Sequence, residues 1–343
     1  MSGERPVEEV PDPVEYFLED LTYHGRSERT RTAYERVLRR FEAFLAERGT
    51  TPADADRRVC LAWVHGVRAD HAPSTVATYA TYVHRFYGYM TQAGVFDANP
   101  MALVMAEMDE SVDTDPERRE LGVSAMRTFV ASVTHPLERA VILTLLKTGM
   151  RVGEACNLDL RDVHLSPAVH DAFDVPPRPQ LDNRPDSVYV ASDVARGQVV
   201  DGEERTASNK RKRATVVPVD AELRRALVRW LTIRPDARSP AEPLFVSTGE
   251  EWGERLTTGQ VRTVVRRHAE AHGWYRTGGG ATENVTPHYF RHFFTTHLRD
   301  RTGDRGIVKY LRGDVATDII DTYTHNWGDR VREVYEANIY ALE

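Results

Sequence analysis

The sequence predicts a mainly α protein with a small β-sheet or hairpin, divided into an N-terminal helical domain and a larger α+β domain. Three observations carry this prediction. The 343 residues are about twice what one hydrophobic core usually organises. Apolar stripes at helical spacing dominate, whereas β-branched character is confined to the short runs 187–191 and 215–219. Between them the domains leave residues 107–120, EMDESVDTDPERRE, almost without apolar side chains and with a proline inside, as expected of a solvated linker. The expected domains are therefore 10–106 and 121–343.

In the first domain, Tyr34, Val37, Leu38, Phe41, Phe44 and Leu45 line one face of a helix that stops at Gly49. A second helix opens at Ser74, carries Val76, Tyr79, Val83, Phe86, Tyr87 and Met90 on one side, and stops at Gly94. Shorter apolar segments at 14–21 and 59–67 complete a small bundle. The second domain opens with helices at 124–133 and 136–146. Residues 166–186 are rich in Pro and Asp and have no periodicity, which predicts an exposed loop or insertion. The two strands follow, separated by a polar, turn-rich segment. Helices resume at 220–231, 258–272 and 287–298, and in pieces from 303 to 339. The last piece, with Val331, Val334, Tyr335 and Ile339 apolar, suits either a cap on its own domain or a tail that docks on a neighbour.

Composition excludes several classes. With 41% hydrophobic and 28% charged residues at a net charge of −7, the chain has the apolar content of a globular protein and not of a disordered one. Its longest mainly apolar run, 140–146, is far short of the roughly 20 residues that span a bilayer, and the first ten residues are acidic where a signal peptide is basic. A cytoplasmic location is expected. Cys60 and Cys156 lie in apolar helical patterns without metal-ligand spacing, and read as buried small hydrophobes. The pI of about 6.0 conceals a gradient. Residues 1–110 carry 12 Lys+Arg against 18 Asp+Glu, whereas residues 205–238 carry 10 against 3, centred on Asn209-Lys-Arg-Lys-Arg213. Such a stretch suits phosphate.

Two further segments carry chemistry. Thr148-Gly-Met-Arg-Val-Gly-Glu154 sets a glycine stop before a helix whose first turn presents Arg151, with Glu154 three residues on. Free N–H groups at that helix end, beside the guanidinium, suit an anion; alone, the pair reads as a surface contact. Thr286-Pro-His-Tyr-Phe-Arg-His292 places His288, Arg291 and His292 on one helical face, with Phe290, Phe293, Phe294 and Leu298 able to pack inward. Zinc, a hydrogen-bonded pair of core histidines and a phosphate site all use such spacing. The missing HExxH glutamate and the intervening arginine favour phosphate.

Together these segments resemble the tyrosine recombinase family, which includes phage integrases and Xer-like site-specific recombinases. The first hundred residues look like its core-DNA-binding domain and the rest like its catalytic domain. The resemblance gives Arg151 a catalytic role and Glu154 a supporting one. In Asn209-Lys-Arg-Lys-Arg-Ala-Thr-Val-Val-Pro218, the position eight residues before proline selects Lys210 over Lys212. Pro287 to His292 is similar to the family's HxxR box, giving His288 and Arg291, with His292 in support. Asp321-Thr-Tyr-Thr-His325 gives Tyr323 as nucleophile, 172 residues after Arg151. The resemblance implies double-stranded DNA as partner, a dimer on one site, a tetramer in synapsis, and neither a metal nor another cofactor. Arg211, Lys212 and Arg213 are expected to contact DNA, with further contacts from the N-terminal helices. A catalytically silent DNA-binding protein of the same fold and a type IB topoisomerase-like nicking-closing enzyme are the alternatives.

Two departures stand out. The interval from Arg151 to Lys210 is long, and Gly313-Asp314 stands where the family usually has Gly-His or Gly-Trp, nine residues before the tyrosine. An unpaired carboxylate there repels a phosphate transition state, so Asp314 is expected to pair with Arg312, Arg291 or His288. Among 14 tyrosines, Tyr289 and Tyr310 sit in packing contexts, whereas Tyr323 lies in a polar stretch.

Overall fold

The computed structural model describes residues 11–111, 117–165, 173–314 and 327–343. The chain forms two compact units, residues 1–116 and 117–343. The first contains α1 (Pro13–Tyr23), α2 (Glu28–Ala46), α3 (Arg57–Asp70), α4 (Pro73–Gln92) and α5 (Met101–Glu107). Its core interleaves Phe17 and Leu18 of α1, Leu38 and Phe41 of α2, Trp63 and Val64 of α3, and Phe86 and Tyr87 of α4. Asp12, Ser27 and Asp56 each accept a backbone N–H at the start of α1, α2 and α3, so side chains satisfy donors that a helix start leaves open. Phe44, expected inward, is half-buried beneath the Arg48 guanidinium, 3.6 Å from its ring centroid. Helix α5 was not anticipated, because seven residues are too few to display a period.

The second unit is built on α7 (Pro136–Thr148), which follows α6 (Val123–Ser132). From Ala140 to Thr148 every residue of α7 is buried, so this helix is apolar nearly all round and serves as the centre of the fold. Against it pack α9 (Ala221–Ile233), α10 (Thr258–Ala271) and α11 (Pro287–Thr302), while α12 (Arg305–Arg312) and α13 (Trp327–Asn338) pack on α11; the short α8 (Val152–Cys156) follows α7 directly. An antiparallel sheet of order β1-β2-β5 joins β1 (Val163–His164), β2 (Ser187–Val190) and β5 (Thr215–Pro218), with Val188 opposite Val163 on one side and Val217 on the other. A small hairpin, β3 (Val199–Val200) with β4 (Glu203–Glu204), occupies the polar stretch between β2 and β5.

The Pro/Asp-rich loop is largely exposed over its second half, as expected, but is anchored at one residue. Leu181 is fully buried, its carbonyl meets His164 Nδ1 at 3.0 Å, and Arg178 pairs with Asp162. Residues 166–172 of that loop, and 112–116 of the expected linker, lie outside the described residues. Both cysteines are buried, and burial pushes each thiol up to about 12. No helix among the described residues is long and apolar enough to cross a membrane.

The C-terminal segment caps its own unit. Lys147 is fully buried in α7, with its ammonium donating to Asp220 Oδ2 at 2.6 Å and to the Tyr340 carbonyl at 2.5 Å, and with Glu222 Oε2 at 2.5 Å. A buried ammonium is tolerable only when paired in this way. The Tyr335 hydroxyl reaches the Lys147 carbonyl at 2.9 Å, and Tyr340 and Leu342 are fully buried.

Helix α7 ends at Gly149 in the left-handed conformation, φ 62°. A Cβ there stands 2.2 Å from the Phe294 ring. Gly149→Ala therefore combines left-handed backbone strain with overpacking, and is expected to cost about 3 kcal/mol of stability. Urea unfolding of the variant checks this; an unchanged midpoint means that Phe294 yields freely.

Candidate active site

The αL turn at Gly149 delivers Met150 and then Arg151, which caps α8. Glu154, one turn on, is fully buried, and its two oxygens are spent on Arg151: Oε2 accepts the backbone N–H at 2.9 Å, and Oε1 accepts from Nη1 at 3.0 Å. The N–H of Arg151 is thus occupied and α8 has five residues. The guanidinium, rather than a free helix end, is the group here that suits an anion. Glu154 is no surface partner either, because it lies in the interior beneath the arginine.

Arg291 arrives from α11. Its neighbours Phe290, Phe293 and Phe294 are buried, and the arginine is 2% exposed. Nη1 donates to the carbonyls of Gly149 at 2.7 Å and Arg312 at 3.1 Å, while Nη2 donates to Asp314 Oδ1 at 2.7 Å. Burial, and then the charge of Arg151, pull its pKa down to about 10, which still leaves it protonated at neutral pH.

Asp314 joins the arginines. The same Oδ1 accepts from Arg151 Nη2 at 3.0 Å, and Oδ2 lies 2.8 Å from Arg312 Nη2. Burial alone opposes its ionisation, but Arg291, Arg312 and Arg151 outweigh that and hold the carboxyl below the usual aspartate range. His288, one turn before Arg291, is exposed. Partial desolvation, and then the charges of Arg118, Arg291, Arg151 and Arg312, hold its pKa below the ordinary imidazole value and so favour the neutral ring. His292 is half-buried, with Nε2 3.5 Å from Thr296 Oγ1.

The basic segment 210–213 splits by side. Lys210 and Lys212 are exposed, and the Lys210 carbonyl accepts from Arg151 Nη1 at 3.2 Å. Arg211, expected to contact DNA, is 5% exposed and faces inward, with Nε 3.3 Å from Glu154 Oε2 and Nη1 donating to the Leu311 carbonyl at 3.0 Å. That expectation is corrected: a guanidinium enclosed between α8 and the end of α12 presents nothing to a phosphate outside. Arg213 is half-buried, 5.8 Å from the Tyr310 ring centroid. Tyr289 is buried, its hydroxyl donating to the Arg119 carbonyl at 2.8 Å. Tyr323 lies outside the described residues.

Asn157 went unnoticed in the sequence. Just past α8, its Nδ2 donates to the Ala207 carbonyl at 2.9 Å and to Asn209 Oδ1 at 2.8 Å, tying the basic segment to the helix that carries Glu154. The available signal was an amide in an otherwise apolar run, Ala155-Cys-Asn-Leu158.

Arg151, Arg211, Arg291 and Arg312 face Glu154 and Asp314, so four positive charges meet two negative ones and two positive charges are left over. The cluster suits an oxyanion.

Residues 188–329 match the phage integrase family, and residues 14–94 match the phage integrase N-terminal SAM-like domain. Tyrosine recombinase XerC of Pelobacter propionicus is 25% identical over 324 residues, 92% of this chain and 90% of that protein. Tyrosine recombinase XerC of Mycobacterium sp. (strain JLS) is 26% identical over 338 residues, covering 96% and 98%. Two solved structures share the fold. The Tn1549 transposon integrase in complex with a circular intermediate DNA gives a TM-score of 0.65 at 18% identity, covering 94% of this chain and 97% of that one. A lambda integrase tetramer bound to a Holliday junction gives 0.60 at 15%, covering 90% and 77%.

The depressed carboxyl of Asp314 has a definite pH signature. Its contribution to stability is complete above the unfolded aspartate pKa of about 3.9 and is lost as pH falls through the lower folded value. Asp314→Asn is therefore expected to be less stable than the parent at neutral pH, with the difference shrinking in acid. Unfolding free energies measured from pH 7 down to pH 3 check this; a difference that grows in acid refutes it.

Proposed function

The chain belongs to the tyrosine recombinase family, and from that premise we infer that it is a site-specific DNA recombinase that cuts and rejoins duplex DNA through a 3′-phosphotyrosyl intermediate. The observation that carries this reading is the convergence of Arg151 Nη2 and Arg291 Nη2 on one oxygen, Asp314 Oδ1, at 3.0 and 2.7 Å. Two guanidiniums that meet at one carboxylate oxygen are aimed well enough to share a phosphate oxygen. They leave two further donors each, since Nη1 of both is engaged elsewhere.

The proposed chemistry follows from these groups. The phenol oxygen of Tyr323 attacks the scissile phosphorus and gives up its proton, for which His288 is the candidate acceptor. The P–O5′ bond breaks, and Lys210, exposed on a flexible stem, protonates the departing 5′ oxygen. Arg151 and Arg291 hold the charge that develops on the non-bridging oxygens. The phosphotyrosyl ester keeps the energy of the broken bond, so attack by a 5′-hydroxyl of a second strand reseals the DNA without ATP. Glu154 fixes Arg151, and Lys212 stands exposed where it can meet the backbone. Action in the cytosol, as a dimer on one site and a tetramer in synapsis, completes the proposal; a tetramer on a junction is the assembly of the lambda integrase structure.

Trapping on a nicked suicide duplex tests the reading. Tyr323→Phe is expected to bind DNA and to form no covalent complex, because only the phenol oxygen is removed; a covalent complex with this variant rejects the nucleophile. Replacing Arg151 or Arg291 by Lys is expected to slow cleavage by roughly a hundredfold or more, about 2.7 kcal/mol of barrier, because a point charge cannot replace a bidentate fork. Near-parental cleavage rates place that arginine outside the site.

A further inference from the structure

Arg211 is flanked by two exposed lysines but is itself buried, and its side chain reaches both halves of the site. Toward α8, its Nε lies 3.3 Å from Glu154 Oε2, the same oxygen that accepts the Arg151 N–H. Toward α12, Nη1 donates to the Leu311 carbonyl at 3.0 Å. Its stem fills the space over Gly313, where a Cβ stands 2.6 Å from Arg211 Cγ and where φ is +70°, so that turn admits only glycine beneath the arginine. The backbone follows the side chain. Lys212 N–H donates to the Gly313 carbonyl at 3.0 Å, and the Lys210 carbonyl accepts from Arg151 at 3.2 Å.

Packing alone does not account for this residue. Methionine fills similar space without desolvating a charge, whereas Arg211 leaves Nε, ion-paired with Glu154 but not hydrogen-bonded, and Nη2 buried without a hydrogen-bond partner. Burial is also the main influence lowering its pKa, with the Glu154 charge opposing it. The guanidinium binds together the three pieces that the reaction needs in register: the Arg151 box, the segment bearing Lys210 and the Gly313-Asp314 turn. We propose that Arg211 is a positioning residue for Lys210, fixing the backbone from which its ammonium reaches the 5′ leaving oxygen. This rests on the recombinase reading above.

The test uses the full chain on two suicide duplexes, one with an ordinary scissile 5′ oxygen and one with sulfur in its place. In both, the phenol oxygen bonds to phosphorus and the bond to the 5′ atom breaks. Oxygen leaves with a proton from Lys210, whereas sulfur leaves as a thiolate and needs none. Arg211→Met is expected to slow cleavage at oxygen about tenfold or more and to restore cleavage at sulfur to within about threefold of the parent. Lys210→Ala should show the same pattern more strongly, and Arg211→Lys, which keeps the stem and the charge, should lie between; it replaces the Met variant if thermal unfolding shows the latter to be unfolded. Equal slowing on both duplexes, or no slowing on either, overturns the proposal. A DNA affinity whose salt dependence weakens by about one phosphate contact in Arg211→Met overturns it in favour of direct DNA binding. If Lys210→Ala is not rescued by sulfur, the assignment of Lys210 itself falls and this proposal with it, whereas absence of any covalent complex from the parent chain sinks the recombinase reading.

Discussion

Guanidiniums repel one another, and the second unit confines four of them to one cluster. The arrangement stands because Asp314 lends one oxygen to Arg151 and Arg291 and the other to Arg312, while Glu154 lies buried between Arg151 and Arg211. The carboxylates neutralise half of the positive charge and fix the direction of each fork. The remaining charge is held in place before any ligand arrives. On the recombinase reading proposed above, such a site reorganises little when negative charge develops on phosphate, which is the main way a preorganised site lowers a barrier.

The cluster in turn depends on α7. Its C-terminal glycine permits the turn that sends the chain to Arg151, offers its carbonyl to Arg291, and leaves room for Phe294. Near the same end, Lys147 pairs with Asp220 and the Tyr340 carbonyl, so the helix that leads into Arg151 also anchors the end of the chain. A second buried ionic group braces the other flank. Asp159 accepts two bonds from Arg205, at 3.0 and 2.7 Å, and another from Arg255 at 2.6 Å, tying the chain that follows β4 to the segment after α8. Buried pairs of this kind are costly to desolvate and contribute little net stability. Their effect here is to fix the path of the chain into residues 207–213.

Much of the fold was legible because its helices are amphipathic and punctuated. The stripes ending at Gly49 and Gly94 became α2 and α4, and both β-branched runs became paired strands. Short elements escaped. Helix α5 and the two-residue strand β1 are held by their surroundings and carry no period of their own. Leu181 is buried within a loop whose composition reads as solvated, because composition averages over a single anchoring residue. The expected pairing of Asp314 was readable from charge alone, since a carboxylate among arginines has few other options; the inclusion of Arg151 among its partners was not.

By itself the sequence determined which residue types stand at which spacing: an arginine three residues before a glutamate, a histidine three before an arginine, a basic run before a strand. These are local facts, and spacing along a helix or strand converts them into faces. Tertiary structure alone decided how those faces meet. Arg211 and Lys212 are neighbours of like charge in one basic run, yet one is enclosed against Glu154 and Leu311 and the other is exposed, because Gly313 stands opposite the first. Charge is a property of the residue, but whether it faces solvent or a buried carboxylate depends on segments distant in the chain, at Glu154 on one side and Leu311 to Gly313 on the other, and no pattern within the run encodes them.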